Sequence, residues 1–418
     1  MTTLVDARNL VRAPAQVRAA RVRGIIYFIL AVGTYVLLAA GTEGDVVFRL
    51  GNMPGDLDLT VSAQALATAS AAVFAFLGAL EITRGLGRWS NVALAGALAL
   101  FAFAFLGWAA AGKSLSLVGM LEGSVAAATP IAFGALSGVM CERVAVINIG
   151  IEGMLLTGAF MGAVIGTVVN PVGGLVAATL AGGVMAAGLA VLAIRYRVDQ
   201  IIAGVVINIF ALGLTSFLSA QILVENASAY NNPGVLGPIK IPLLGDIPVL
   251  GRIFFDQNIF IYAMFLIVIA MTYGLFRTRW GLRSRAVGEH PKAADTLGIN
   301  VFRTRYRNVI LGGMIAGFGG AYFTLGSVGA FNENMTAGRG FIGLAAMIFG
   351  RWHPVGALAA ALVFGFADSL QVKLAILDSG IPSEFLLMAP YLVTVIVVAG
   401  VVGAARPPAA DGQPYIKE

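Results

Sequence analysis

Cysteine occurs once in the 418 residues, as Cys141, which excludes an internal disulfide and a cysteine-based metal cluster. Histidine occurs twice, His290 and His353, too few for a histidine metal site. Only 11% of residues are charged, and no soluble segment carries the basic face that nucleic-acid binding needs. There is no nucleophile–base pairing and no carboxylate pair in a soluble cleft, so the sequence carries no catalytic residues and does not read as an enzyme. A Walker A pattern is formally present, Gly107 and then Gly112-Lys113-Ser114. It lies at the end of the apolar run FAFAFLGWAAA, without the strand-loop-helix setting that a phosphate loop requires, and is read as chance.

What the chain does have is apolar sequence. Hydrophobic residues make up 59% and mean hydropathy is +0.89. Soluble domains hold roughly 45–50% apolar residues and do not repeat uncharged runs of about 20. The composition therefore defines an all-α polytopic membrane protein. The 53 glycines fit helices packed closely in lipid. Apolar runs near 24–40, 59–80, 91–111, 115–140, 144–169, 172–194, 201–224, 258–276, 308–330, 355–372 and 385–402 read as spans. The stretch 340–350 is too short for an ordinary crossing and reads as a re-entrant or broken helix or as part of a short tilted span, giving 11 or 12 segments. Pro130 should kink the fourth span. The organisation expected is an N-terminal extension of about three helices (1–114), a core (115–404) and a cytoplasmic tail (405–418).

Charge orients these spans. Residues 277–307 carry seven Arg and one Lys against Glu289 and Asp295, a net charge of 8 − 2 = +6, equal to that of the whole chain. A basic loop between apolar segments belongs on the cytoplasmic side, and its arginines are placed to meet anionic membrane lipid. With 12 crossings, both termini are cytoplasmic. The loop's centre, GEHPKAADTLGI, reads as a short helix started at Pro291 and stopped at Gly298. Such an element suits the docking of another protein.

Polar residues inside apolar runs are the remaining candidates. A Glu in a membrane helix costs on the order of 2–3 kcal/mol at the centre, so Glu152 is a functional candidate unless it makes a structural hydrogen bond. Asn148, Asn208 and Asp368 pose the same choice between lining a polar pathway and tying neighbouring backbone. Gly158, Gly162 and Gly166, at four-residue spacing, read as a helix-packing seam.

Three stretches together carry a family likeness: SGVMCERVAVINIGIEGMLLTGAF, GLRSRAVGEHPKAADTLGINV and GRGFIGLAAMIFGRWHPVGALAAALVFGFADSL. They resemble the permease subunits of bacterial ABC importers of the branched-chain amino acid and simple-sugar group, and within it the nucleoside-type permeases. The likeness covers about 115–402 and leaves the first 110 or so residues outside it. It implies a multi-pass protein of the bacterial cytoplasmic membrane. It also implies a cytoplasmic ABC ATPase, a second permease subunit of different sequence and an extracytoplasmic substrate-binding lipoprotein. This chain itself would bind no cofactor, with ATP-Mg on the partner ATPase. A coupling helix at residues 288–299 is implied too, in which Glu289, Pro291, Ala293, Ala294, Asp295 and Gly298 meet the ATPase. For the pathway, the expected polar residues are Asn148, Glu152 and Asn208, with Phe133 and Phe160 available to a base. Two rivals remain: transport of ribose-like sugars or branched-chain amino acids by the same machinery, and a stand-alone ion-coupled carrier.

Overall fold

The structure, a computed structural model, describes residues 14–51, 57–377, 385, 388 and 406–417. The span expected at 385–402 lies, apart from residues 385 and 388, outside the described residues. Ten of the described helices are long and apolar enough to cross a membrane. The chain divides into two compact units, 1–118 with 374–381, and 119–373 with 382–418.

In the first unit, helices α1 (Pro14–Gly33), α2 (Ala63–Thr83) and α3 (Ser90–Ala109) pack around Tyr27, Ala31, Phe74 and Ala97. Ser62 caps α2, and a small sheet is built from two strands between α1 and α2 and a third after α3. Strand β1 (Asp45–Arg49) pairs antiparallel with β2 (Asp58–Ser62) and parallel with β3 (Ser114–Ser116). The Walker-like residues are consumed by this arrangement. Gly107 lies inside α3, Gly112 turns at φ +71° and donates its N–H to the Asp45 carbonyl, and Ser114 opens a strand. Glu81, fully buried in α2, accepts from Arg23, the Leu86 N–H and the Ser90 hydroxyl at 2.8–3.0 Å, so its charge is compensated.

The second unit begins with α4 (Leu117–Glu142), which carries Pro130 in its interior, α5 (Ile151–Val168), α6 (Pro171–Ala190) and α7 (Gln200–Leu218). A short helix α8 (Ala227–Tyr230) and the two-residue strands β4 (Ile239–Lys240) and β5 (Asp256–Gln257) lead to α9 (Ile259–Arg277). Then come α10 (Arg279–Glu289), α11 (Pro291–Thr296), α12 (Val301–Ala321), α13 (Arg339–Phe349) and α14 (Pro354–Leu377). The helices α5, α6 and α12 meet through glycine. A Cβ added at Gly182 would stand 2.6 Å from Gly317 Cα, and one at Gly174 would stand 2.7 Å from Gly166 Cα. The seam of Gly158, Gly162 and Gly166 faces these partners, with Gly158 against Gly317 and Gly162 against Ala321 and Thr324. Lipid offers no hydrophobic drive to pull helices together, so close backbone approach supplies the dispersion contacts instead.

The region around Gly340 is a broken segment. Helix α12 ends in wide π-helical turns, Tyr322–Val328, stopped by Gly329 at φ +78°. Residues 329–338 are irregular, and α13 starts from Gly338 at φ +80°. Its 11 residues span about 16 Å, roughly half of a 30 Å hydrocarbon layer. The half-helix lies along the second half of α4, with Gly343 on Gly134 and Ala135 and Met347 beside Gly138.

Candidate functional site

Two places in the second unit gather the polar residues: the break before α13, and the end of the bundle formed by α10 and α11.

At the break, the first turn of α5 presents Glu152. Its carboxylate is buried and accepts three donors from residues 336–340: the Thr336 hydroxyl at 2.6 Å, the Gly338 N–H at 2.8 Å and the Gly340 N–H at 2.6 Å. Two of these are amides at the N-terminus of α13, which have no partner inside the helix and sit at the positive end of its dipole. Charge-assisted bonds of this kind are about twice as strong as neutral ones. Gly340 carries no side chain because the Glu152 backbone lies against it; an added Cβ would stand 2.6 Å from Glu152 Cα.

Asn208 of α7 ties down the turn before α5, donating to the Ile149 carbonyl at 2.9 Å and accepting from the Gly153 N–H at 2.8 Å. Asn148, fully buried, points its amide at Ser137, Cys141 and Met154, and its Oδ1 has no partner among the described residues. The three expected pathway residues thus converge on one turn and its neighbours, each with contacts to protein. Phe133 and Phe160 are packed edge-on against Phe318 and Phe331.

A cavity of about 340 Å³ opens beside the break, lined by α4 (Ala126, Ala127 and Pro130), Tyr322, Phe323, Ser327, Asn332, Met335 and Arg339. The Arg339 guanidinium stands 5.7 Å above the Phe323 ring and 4.0 Å from Asp368 Oδ2. The cavity therefore offers aromatic faces, a cation and small polar groups within one wall. Apart from Pro130, singled out as a kink, and Asp368, which turns toward Arg339, none of these positions was singled out from sequence. The available signal was Arg339 itself, a cation opening an apolar stretch.

At the other place, α11 forms the expected short helix. Pro291 occupies its first turn, His290 Nδ1 accepts the Ala293 N–H at 3.2 Å, and Gly298 closes the turn after it at φ +79°. Ala294 is buried, whereas Ala293 is exposed and Leu297 is 82% exposed. The segment 406–417 straps across this end. The Ala410 N–H donates to the Gly288 carbonyl at 3.0 Å, and the Ala409 N–H donates to Glu289 Oε2 at 3.1 Å. Lys417 lies 3.7 Å from Asp295, and Arg305 donates to the Gln413 carbonyl at 3.1 Å. Tyr415 packs on Phe302 with ring centroids 5.3 Å apart. Glu289 and Asp295, expected to face the ATPase, are thus engaged by the chain's own tail. Nearby, Trp352 Nε1 donates to Glu142, and Arg143 donates to the Trp352 carbonyl at 2.8 Å. Burial pushes the Asp411 carboxyl up to about 6, against the opposing pull of its hydrogen bonds with Glu142 and the Gly412 backbone and then of the Arg305 guanidinium. Burial, and then the Arg143 charge, lowers His353 below the usual imidazole value.

A bundle of long apolar helices with a broken segment and a short exposed helix at one end is the architecture of a polytopic membrane protein. The branched-chain amino acid transport system / permease component family matches residues 120–402, and the chain belongs to that family. It is 43% identical over 304 residues to the guanosine ABC transporter permease protein NupQ of Bacillus subtilis, which covers 69% of this chain and 94% of that protein. It is 40% identical over 299 residues to the nucleoside ABC transporter permease protein NupC of Lactococcus lactis, with the same shares of 69% and 94%. A putative glucose ABC transporter permease, TsgC13 of Haloferax volcanii, is 36% identical over 256 residues, 61% of this chain and 77% of that protein. No solved structure matches significantly. These relatives are permease subunits, so the chain is a multi-pass membrane permease.

Proposed function

We propose that the chain forms the translocation pathway of an ATP-driven nucleoside importer. The observation that carries this reading is the 43% identity to a guanosine permease across 94% of that protein's length. The cavity by the break agrees with the chemistry of the solute. A nucleoside has a flat base and a polar ribose, and Tyr322, Phe323, Ser327, Asn332 and Arg339 supply faces for one and hydrogen-bonding groups for the other. Sites built at discontinuous membrane helices are a recurrent solution in transporters, because the unwound backbone lines the cavity. In this reading Glu152, Asn148 and Asn208 position the break, and the cavity side chains meet the solute.

The driving force comes from a separate cytoplasmic ATPase that carries ATP-Mg. The exposed side of α11, with Ala293 and Leu297 at its end, docks on it, and the strap behind the helix makes the docking surface rigid. A second permease of different sequence completes the pathway. A second Bacillus subtilis guanosine permease, NupP, is also similar to this chain, at 26% over 264 residues. A substrate-binding lipoprotein delivers the solute on the opposite face. The basic loop and both termini lie in the cytoplasm, and residues 1–114 form an extension to the permease core.

The test is uptake of radiolabelled guanosine into proteoliposomes holding this chain, the second permease and the ATPase, with the substrate-binding lipoprotein supplied on the solute side. ATP-dependent uptake that excess inosine suppresses and glucose does not is expected. Suppression by glucose instead would move the reading to sugars, for which the 36% identity to a putative glucose permease is the specific support. Uptake by this chain alone without ATP would make it an ion-coupled carrier.

A further inference from the structure

Two cavities in the second unit share one wall, the indole of Trp280. The larger, about 850 Å³, lies where α10 meets the start of α12. Arg283 lines it from α10, and Arg303 and Arg307, one turn apart on α12, line it from the other side. No acidic side chain lines it, and none of the three arginines is paired among the described residues. The indole Nε1 of Trp280 is buried and has no acceptor there. The second cavity, also lined by Trp280, is an open groove of about 320 Å³ between α9 and α12. Its walls are almost wholly apolar, including Ile267, Met271, Leu311, Met314, Ile315 and Phe318.

Each half is incomplete for the simpler ligands. A soluble anion satisfies the arginines and leaves the apolar groove unused. A neutral amphiphile fills the groove and leaves the three arginines, each exposed, without an anion between them. Arginine and tryptophan together at the end of apolar helices mark the depth of lipid headgroups. We propose that the chain holds one anionic phospholipid here, with its phosphate among Arg283, Arg303 and Arg307 and within reach of the Trp280 N–H, and an acyl chain in the groove of α9 and α12. The site adjoins the end of the α11 element, because Leu297, Gly298 and Ile299 line the same cavity. The bound lipid thus fixes α10 against α12 beside the docking helix. This inference rests on the membrane character of the chain and is independent of the solute it carries.

The test is native mass spectrometry of the delipidated permease complex, titrated with dioleoylphosphatidylglycerol, dioleoylphosphatidylcholine and glycerol phosphate. Tight retention of phosphatidylglycerol is expected, with phosphatidylcholine at least about tenfold weaker and glycerol phosphate unbound. At about fivefold per arginine, R283Q/R303Q/R307Q should weaken phosphatidylglycerol roughly 100-fold and leave phosphatidylcholine unchanged. Ala270 is exposed and lines the groove, so Ala270→Trp should obstruct the acyl chain without entering the core and weaken retention while the arginines remain. Equal retention of the two lipids, glycerol phosphate binding as tightly as phosphatidylglycerol, or full retention by either variant would overturn the proposal. Should the triple variant fail to fold, R303Q/R307Q and Ala270→Trp decide the matter by the same titration.

Discussion

Glu152 shows how one carboxylate makes a break in a membrane helix tolerable. Its three donors would otherwise lose their acceptor at the start of α13, where the helix itself offers them none. Glu152→Gln keeps the size and removes the charge, turning an amide NH₂ toward groups that also donate. The variant is expected to lose about 2–3 kcal/mol of stability, read as a lower unfolding temperature of the purified protein. An unchanged temperature would mean that the carboxylate does not hold the break. Arg339 tests the cavity. Arg339→Gln removes the cation over Phe323 and should reduce guanosine uptake roughly tenfold, while the ATPase still co-purifies. Loss of co-purification would place Arg339 in assembly instead.

Among the elements, α11 and its strap bear on coupling. Reversing Glu289 and Asp295 to Lys removes the acceptors for Ala409 and Lys417, so it frees the tail as well as altering the docking face. Ala293→Asp is the cleaner test, because Leu297 also lines the cavity beside Trp280. Ala293 is exposed, so the fold should be unaffected, and burial of an aspartate should weaken ATPase co-purification at least about tenfold. Wild-type recovery of the ATPase would remove α11 from the interface. The strap should also depend on pH. The folded pKa of Asp411, about 6, stands above the ordinary carboxylate value near 4, so the folded strap binds more protons across that interval. Its contribution is largest below pH 4 and declines as pH rises to about 6. The protection of residues 406–417 against hydrogen exchange, after correction for the intrinsic base catalysis of exchange, should fall over that range and stay level in Asp411→Asn. A flat wild-type profile would refute the linkage.

Much at this scale was legible because its signals are local. Apolar runs marked the helices, Pro291 and Gly298 marked the ends of α11, and the shortness of the Gly340 stretch pointed to a break. The rest depends on partners distant in the chain. Thr336 stands 184 residues from Glu152, and the Ala409 amide stands 120 from Glu289. Nothing in the pattern around Glu152 distinguishes a residue that lines a pathway from one that caps a half-helix. The helix α10 was hidden by its charge density, and the cavity side chains by their spread over α4, the π-turns and the break.

For the molecule as a whole, the family match begins at residue 120, and the relatives NupQ and NupC are covered to 94% without reaching beyond 69% of this chain. Deletion of residues 1–114 is therefore expected to leave a permease that binds its ATPase and transports. Failure to reach the membrane would make the first three helices part of the folding unit. The glycine contacts among α5, α6 and α12 set the rigid frame: Gly317→Leu should prevent assembly altogether, because backbone and not side chain stands where its Cβ would go.

The capping of α13 by Glu152 also has a clock in it. Glu152 enters the membrane 184 residues ahead of Thr336 and 188 ahead of Gly340. At ribosomal rates of roughly 5–20 residues per second, that interval lasts on the order of 10–40 seconds. During it, α5 carries a carboxylate whose donors have not yet been synthesised. The contact between α5 and the break can be completed only when residues 336–340 arrive, so this joint is among the last of the bundle to close.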